Sequence, residues 1–414
     1  MKSKITVYKV LVSDNKISYN WLVEGDIKEC FKISEPLFYE YSSRIGNVPE
    51  SIAVLPLLCN IIPIVWLYDA ELIVNEVDET FFRSLTEVKK SFVAMYPMLA
   101  FKGNILVNRL VANRMPTATS KTAVFFSGGV DSNFTLINHL EEHPALITLI
   151  GADVDINDRC GTEALKQLMY KASSQYDLDS VYVSSSFRRC LNYRKLDAKV
   201  AASPNGYWGG FQHGMAICGQ AFPYAYEKGI ERIYIASSRW VHDKDFHAWG
   251  SAPEIDSNLK FAAGCVIHDG YYEYNRQDKV KYISEYLERT GQNIDIHVCW
   301  ETSGGENCCC CEKCFRTMFE LLLVGADPNR YGFRYTPKTG LIMEKYFQHV
   351  LIIHDAVRER WIEMQKKYLD DKCILIDDQS FQWLKTFDFN KENADKIRLL
   401  RSLWKNGLRR FSAR

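Results

Sequence analysis

One segment of the chain combines the residue types that bind phosphate. It reads, in order, Ser127, Gly128, Gly129, Val130, Asp131 and Ser132, and we call residues 127–132 the glycine loop. Adjacent glycines let a backbone approach an anion closely and present its N–H groups, and the two serines add hydroxyl donors. Asp131 would repel phosphate directly, so it indicates either Mg²⁺ bridging phosphate oxygens or a helix cap. The alternative for the whole segment is an ordinary turn followed by a helix.

A second segment concentrates cysteine. Four of the chain's 13 cysteines follow the spacing C-x8-C-x2-C-x2-C and are Cys299, Cys308, Cys311 and Cys314. Four thiolates on tight turns are what tetrahedral Zn²⁺ requires. An iron–sulfur cluster and catalytic thiols are the alternatives, and the neighbouring Cys309 and Cys310 leave the choice of ligands open.

The glycine loop lies where a predicted strand meets a predicted helix. Residues 123–126 are a short apolar strand, and residues 133–142 follow as a helix. Further strands are predicted at 145–150, 180–184 and 232–236, alternating with helices near 161–174 and 214–228. This alternation predicts an α/β fold with a parallel sheet and helices on both faces. Ligands bind at the carboxyl ends of the strands in such sheets, which is where the loop falls.

Two flanking regions follow different patterns. Residues 1–118 indicate an α+β domain, with a hairpin at 5–12 and 17–23, a buried helix from about residue 50, a strand at 71–74 and a helix at 78–96. Residues 119–335 form the predicted α/β domain, with the zinc module at 299–314. Residues 336–414 indicate a helical region. Its basic end, 396–414, predicts a helix that packs on the body or on another subunit, or lies on a membrane surface.

The loop resembles the SGGxDS signature of the PP-loop ATP pyrophosphatases. No Gly-Lys-Ser/Thr follows it, so it is not the loop of the P-loop NTPases. Members of the superfamily include asparagine synthetase, GMP synthetase and tRNA thiolation enzymes. They adenylate a carboxylate or carbonyl oxygen, release pyrophosphate and let ammonia or sulfur displace AMP. The resemblance therefore implies a PP-loop (HUP-like) fold that binds ATP and Mg²⁺ through the glycine loop.

The cysteine spacing narrows this resemblance to the branch of 7-cyano-7-deazaguanine synthase, over residues 121–325. It implies a structural zinc ion and matches Arg316 to an arginine of that branch; a solvated helix residue is the alternative. The chain departs from the branch in its long leading and trailing regions, and in Asn133, where threonine is common. Residues 249–256 do not match the nucleobase pocket of that branch, so the resemblance does not identify the substrate.

Further candidate residues follow other predicted strands and helix starts. Asp153 could accept a bond from ribose or be a turn residue. Arg239 suits pyrophosphate, because a guanidinium binds phosphate in a bidentate manner. Arg276 and Lys279 compete for the phosphate-neutralising position at the start of a helix. Five residues are candidates for substrate binding or proton transfer, or are structural, and they are His213, Trp249, Ser251, His268 and Asp269. Among them His268 and Asp269 are adjacent in a predicted loop, where they suggest an acid–base pair.

Charge and apolar runs limit the partners and the location. Basic and acidic residues number 51 each, so the formal net charge is zero and gives no argument for nucleic acid or an anionic membrane. The start of the chain lacks the apolar core of a signal peptide. The apolar run at 52–67 is short and interrupted for a membrane span and predicts a buried helix. We expect a cytoplasmic protein with a small-molecule or peptide substrate. Two assemblies are candidates: a partner protein bound through the leading domain, and a homodimer.

These features predict ATP-dependent adenylation of a carboxylate or carbonyl group, followed by attack of ammonia or an amine. Two alternatives remain. The first is sulfur insertion through a reactive thiol such as Cys160, Cys190, Cys309 or Cys310. The second is a non-catalytic, nucleotide-sensing subunit of a larger assembly.

Overall fold

The structure is a computed structural model that describes residues 3–32, 34–117, 121–243, 248–299, 301, 306–351, 353, 355–370 and 379–390. The chain divides into two compact units. Unit 1 comprises Met1–His242 and Phe246–Arg276, and unit 2 comprises Asp243–Asp245 and Gln277–Arg414. The predicted domain boundary at residue 118 falls within unit 1.

The strands of the described residues lie in a single sheet within unit 1. They are β1 (Lys4–Val12), β2 (Lys16–Glu24), β3 (Phe38–Tyr41), β4 (Glu71–Asp78), β5 (Asn104–Val111), β6 (Thr122–Phe125), β7 (Ala145–Ile150), β8 (Ser180–Ser185), β9 (Arg232–Ala236), β10 (Lys260–Phe261) and β11 (Gly264–Asp269). Their spatial order is β10-β11-β9-β6-β7-β8-β3-β2-β1-β4-β5. The predicted hairpin is β1–β2, and the predicted strands near residues 71, 123, 145, 180 and 232 are all confirmed.

The helices of unit 1 are α1 (Glu50–Ala53), α2 (Leu55–Leu67), α3 (Glu79–Met95), α4 (Val130–Asn138), α5 (Arg159–Tyr176), α6 (Tyr193–Lys199), α7 (His213–Lys228) and α8 (Pro253–Asp256). A π-helical turn, Trp208–Gln212, leads directly into α7. Every residue of α2 is buried, as its apolar sequence predicts. No helix among the described residues combines the length and the apolar character needed to cross a bilayer.

The sheet is mixed. Strands β11, β9, β6, β7 and β8 are parallel to one another, which confirms the parallel arrangement predicted for this part of the chain. The leading strands join the same sheet because β3 pairs antiparallel with β8, with Tyr39 opposite Ser185. The fold is thus α/β, and the leading region extends the sheet of the glycine loop.

Both faces of the sheet are covered where β7 passes through it. Successive side chains of a strand point to opposite faces. Ala145 and Ile147 join the large core that includes Phe222 of α7, whereas Leu146 joins a second cluster with Leu136 of α4 and Met169 of α5. Burying each such aliphatic side chain stabilises the fold by roughly 1.5–3 kcal/mol. This explains why β7 is apolar at every position except Thr148 rather than alternating between apolar and polar residues.

Unit 2 is helical in the residues described, and it begins within the helix α9 (Arg276–Thr290). It continues with α10 (Glu312–Leu322), α11 (Thr339–His349), α12 (Asp355–Tyr368) and the 3₁₀ turn Gln379–Lys385. Aromatic side chains form its core; Trp361 contacts both Phe319 and Phe347. These elements agree with the helical region predicted from residue 336. The basic segment 396–414 lies outside the described residues.

Candidate functional site

The order of strands in unit 1 creates a reversal point beside β6. The chain proceeds from β6 to β7 and β8 on one side of β6, then returns to β9 on its other side. Helix α4, which follows β6, and helix α7, which precedes β9, contribute to cores on opposite faces of the sheet. The connections therefore diverge and leave a crevice at the carboxyl ends of β6 and β9, where ligands of such sheets bind.

The glycine loop occupies the carboxyl end of β6. Gly128 has a φ of 76°, a left-handed conformation that glycine adopts without a steric penalty. Gly129 is the cap residue of α4, so the helix begins at Val130, three residues earlier than predicted. Asp131 therefore lies in the first turn and not at the cap position. The positive end of the α4 dipole lies at this loop, as anion-binding loops require.

The two serines and Asn133 hold the loop together. The Ser132 hydroxyl donates to the Gly129 carbonyl at 3.2 Å and accepts from the Ser127 N–H at 3.3 Å. The Asn133 side chain donates to the carbonyls of Gly128 and Gly129 at 2.8 and 3.0 Å. Because these carbonyls are engaged internally, they are held away from an incoming anion. The sequence showed Asn133 only as a departure from the expected threonine, and its tethering role was missed.

Replacing Asn133 with aspartate is expected to weaken ATP binding by roughly 10- to 100-fold. The variant keeps the shape of the side chain but replaces the donor by an acceptor that repels both carbonyls, and losing such hydrogen bonds costs roughly 1–3 kcal/mol. Isothermal titration with ATP measures the effect. Asn138→Asp, at the exposed end of the same helix, is the matched control. Unchanged affinity in Asn133→Asp would show that the tether is not needed.

Two arginines, Arg276 and Arg239, lie near the carboxyl ends of β6 and β9. The Arg276 guanidinium lies 3.3 Å from an Asp131 carboxylate oxygen, and both side chains are 22% exposed. Of the two competing residues at the start of α9, Arg276 thus contacts the glycine loop, and Lys279 is buried. Arg239 follows β9, and its guanidinium lies 5.2 Å from the ring centre of Trp249. Asp153 follows β7 and is exposed.

His268 and Asp269 are neighbours in sequence but do not form a pair. Both lie in β11, so their side chains point to opposite faces. His268 Nδ1 is 3.0 Å from Asp256 Oδ2, which also accepts a 2.6 Å hydrogen bond from the Ser251 hydroxyl. Asp269 instead accepts a 2.6 Å bond from the Thr135 hydroxyl of α4. The acid–base pair suggested by the sequence is thus two separate networks.

A histidine belongs to the Asp269 network. His139, at the end of α4, lies 3.1 Å from Asp269 and 2.9 Å from Glu142. Burial lowers the pKa of His139, but hydrogen bonds and the charges of both carboxylates outweigh it, so the pKa is raised above its usual 6.5. A raised pKa stabilises the folded state fully below the unfolded value, and this contribution disappears as pH rises through the folded value.

We therefore expect His139→Gln to lower the free energy of unfolding most below pH 6.5, by about 1–2 kcal/mol, and progressively less as pH rises. Urea unfolding of wild type and variant across pH measures this difference. His349→Gln, the same change at an exposed histidine, is the matched control. A difference that is constant with pH, or that grows with pH, would contradict the assigned charge state of His139.

The four predicted cysteines of unit 2 come together. Their sulfurs all lie within 4.8 Å of one another, with Cys299 and Cys311 at 4.0 Å and Cys308 and Cys314 at 3.8 Å. Tetrahedral coordination at a Zn–S distance of about 2.3 Å places sulfurs about 3.8 Å apart. Hydrogen bonds from Cys314 and the other thiols lower the pKa of Cys311 to about 5. The group could hold a metal ion, and the Cys299–Cys311 and Cys308–Cys314 distances are close to the tetrahedral value.

Local structure explains why the cysteines meet. Cys311 is the cap residue of α10, and a helix start favours thiolate. The buried Asn307 side chain accepts from the Val298 N–H at 3.0 Å and donates to the Ile296 and Gly332 carbonyls at 2.7 and 3.1 Å. It thereby joins the segment that carries Cys299 to the one that carries Cys308. The sequence gave no signal for this role of Asn307.

The cysteines outside the four-sulfur group differ in exposure and in the pKa of the thiol. Cys309 donates to the Asn307 carbonyl at 3.3 Å, and Cys310 is exposed; neither belongs to the four-sulfur group. Cys190 is buried, and burial raises its pKa to about 12, which makes it a poor nucleophile. Cys160 is exposed. Of the thiols considered for sulfur insertion, Cys190 is thus unsuited.

Arg316 is buried rather than solvated. It is 3% exposed, and its Nε lies 3.2 Å from Glu312 Oε1, which also accepts a 2.9 Å hydrogen bond from the Trp361 indole. The alternative of a solvated helix residue is therefore wrong. A buried ion pair one turn into the helix of the cysteine group suits a role in the structure of unit 2.

Comparisons of the chain with protein-family models, with curated proteins and with solved structures each find no match. Function is therefore inferred from the residues and their geometry.

Proposed function

We propose that the chain binds ATP and Mg²⁺ in the crevice beside β6, adenylates a carboxylate or carbonyl group of a small molecule or peptide, and releases pyrophosphate. Ammonia or an amine then displaces AMP. The observation that carries this proposal is the glycine loop at the carboxyl end of β6, where Gly128 adopts a left-handed conformation and α4 begins. A resemblance of sequence and a strand reversal at the same point support the same site.

The charges around the loop suit this chemistry. A leaving pyrophosphate gains negative charge in the transition state, and prepositioned cations stabilise it. Arg276 lies beside Asp131, and Arg239 follows the strand on the other side of the crevice. When bound, Mg²⁺ supplies further charge neutralisation at the phosphates, and Asp131 is the residue of the loop suited to hold it.

We further propose that the four-cysteine group binds Zn²⁺ as a structural ion. The distances between sulfurs fit the tetrahedral geometry of zinc, and a set of four thiolates without an open position is typical of structural sites. The ion would fix the start of α10 to the segment that precedes it, within unit 2.

Release of pyrophosphate from ATP, measured with a panel of carboxylic acids and with ammonium chloride present, tests the proposal. We expect at least one acid to raise the rate clearly above the rate with ATP alone. Gly128→Val, which forces a branched side chain into a left-handed conformation, is the inactive control. Equal rates in this variant and the wild type with every active acid would place the reaction elsewhere.

A further inference from the structure

A histidine at the start of α7 has surroundings that neither the glycine loop nor the cysteine group explains. The His213 ring lies between two tryptophans, with ring centres 4.9 Å from Trp208 and 5.2 Å from Trp249. It follows the π-helical turn Trp208–Gln212, a rare conformation that often occurs at functional sites. Aromatic packing on both sides thus holds the imidazole in place.

One ring nitrogen of His213 is left without a hydrogen-bond partner among the described residues. This atom, Nδ1, is buried. Buried polar atoms are nearly always partnered, so such an exception requires an explanation. Burial lowers the pKa of His213; the charges of Asp153 and Asp256 raise it, and those of Arg188 and His268 lower it further, with a net decrease. The imidazole is therefore neutral near pH 7 and can accept a proton.

His213 lies at the same edge of the sheet as the glycine loop. Two of the charged groups that act on its ring, Asp153 and Arg188, follow β7 and β8. Trp249, which contacts the ring, is also contacted by Arg239, and Arg239 follows β9. Because β6 lies between β7 and β9, the carboxyl ends of all these strands surround the position where an adenylate would form.

The charges in this region allow an uncharged nucleophile. The Arg188 guanidinium lies 4.1 Å from the Trp208 ring centre and is fixed by donating to the Ala152 carbonyl at 2.7 Å and the Tyr193 hydroxyl at 3.2 Å. Arg239 is stacked in a similar way on Trp249. These two guanidinium groups offset the attraction of the Asp153 and Asp256 carboxylates for a cation, so a bound amine can lose its proton and react as the neutral nucleophile.

A buried histidine, His268, and its partner Asp256 lie close to His213. His268 and Asp256, joined at 3.0 Å, have side chains 2% and 0% exposed, and His268 Nε2 and Asp256 Oδ1 also lack partners among the described residues. Oδ1 lies against the backbone next to His213, because a Cβ placed on Gly214 would be 2.2 Å from it. Among the described residues, the cysteine group is the one set of side chains spaced to hold a metal ion. We therefore consider proton transfer, rather than metal binding, as the role of His213, His268 and Asp256.

We infer that His213 is the base that accepts a proton from the amine that attacks the adenylate, and that the His268–Asp256 pair positions it; this rests on the proposed function. In the step, the amine nitrogen bonds to the acyl carbon, and one of its protons moves to the imidazole. The bond from the acyl carbon to the phosphate oxygen breaks, and its electron pair leaves with AMP. The imidazolium then releases the proton to solvent.

Separate measurement of the two half-reactions tests this role. Exchange of labelled pyrophosphate into ATP reports adenylation of the acid found in the pyrophosphate screen, and ammonium chloride serves as the probe nucleophile for amide formation. In His213→Gln we expect exchange within about threefold of wild type and amide formation reduced by about 100-fold or more, the usual contribution of a general base. Hydroxylamine, a stronger nucleophile, should be affected far less.

Three further measurements distinguish a general base at position 213 from a structural residue. The variant should lose the rise of the ammonia-dependent rate with pH that His213 ionisation produces, and imidazole added to His213→Ala should restore part of the rate. His242→Gln, at an exposed histidine, should match wild type. Wild-type amide formation in His213→Gln, or equal losses of exchange and amide formation, would overturn the role of His213. Absence of exchange in wild type with every acid would instead overturn the proposed function.

Discussion

Replacing Asp131 with asparagine is expected to lower the rate of acid-dependent pyrophosphate release by 100-fold or more. The variant removes the carboxylate proposed to hold Mg²⁺, and it leaves Arg276 without the carboxylate that lies 3.3 Å away. Removing one prepositioned electrostatic group from a transition state costs roughly 10²–10³ in rate. Initial rates at saturating ATP and Mg²⁺ measure the effect directly.

The control for Asp131→Asn is Glu141→Gln, which makes the same chemical change at an exposed position near the end of α4. It should leave the rate unchanged. The melting temperature of Asp131→Asn should lie close to that of wild type, because partly exposed ion pairs contribute little to stability. Wild-type turnover by Asp131→Asn would remove this residue from the reaction, and a large fall in melting temperature would assign it a structural role.

Replacing Cys314 with serine is expected to release the bound metal and to unfold much of unit 2. Cys314 is buried, and its sulfur is 3.8 Å from that of Cys308. Structural zinc contributes about 10–16 kcal/mol of apparent binding free energy in small domains, and this free energy is coupled to folding. That contribution is comparable to the whole stability of a typical domain, about 5–15 kcal/mol, so the effect should be visible in both metal content and thermal unfolding.

Metal content by mass spectrometry and thermal unfolding by circular dichroism test this expectation together. We expect about one zinc ion per wild-type chain and much less in Cys314→Ser. Cys310→Ser is the matched control, because Cys310 is exposed and outside the four-sulfur group; its metal content and melting temperature should be those of wild type. Iron in place of zinc would favour the cluster alternative, and equal metal in both variants would contradict the ligand set.

Local patterns predicted the parts of the fold that are determined locally. A short apolar run, two glycines and a helical pattern were sufficient for β6, the glycine loop and α4, since strand, turn and helix preferences agree there. Helix α4 begins three residues before its predicted start, because its cap residue is Gly129, which has no side chain to indicate a cap in the sequence. The four cysteines were predictable because metal ligands follow a characteristic spacing.

Contacts between distant segments were not predictable in this way. The pairing of β3 with β8 joins residues such as Tyr39 and Ser185, and no local pattern encodes it, so the leading region was expected to be a separate domain. The His268–Asp269 interpretation failed for a different reason. Adjacent residues of a strand point to opposite faces, and this could have been applied once residues 264–269 were assigned as a strand. The Asn133 and Asn307 tethers depend on backbone positions that only the fold defines.

The products of ATP cleavage test the central claim most directly. ATP labelled at the α-phosphate is incubated with the protein, Mg²⁺, ammonium chloride and the panel of acids, and the labelled products are separated by chromatography. The proposed adenylation predicts that the label appears in AMP, with an equal amount of pyrophosphate, and that Asp131→Asn abolishes both. Label in ADP, or no AMP with any acid, would contradict cleavage between the α- and β-phosphates at the glycine loop.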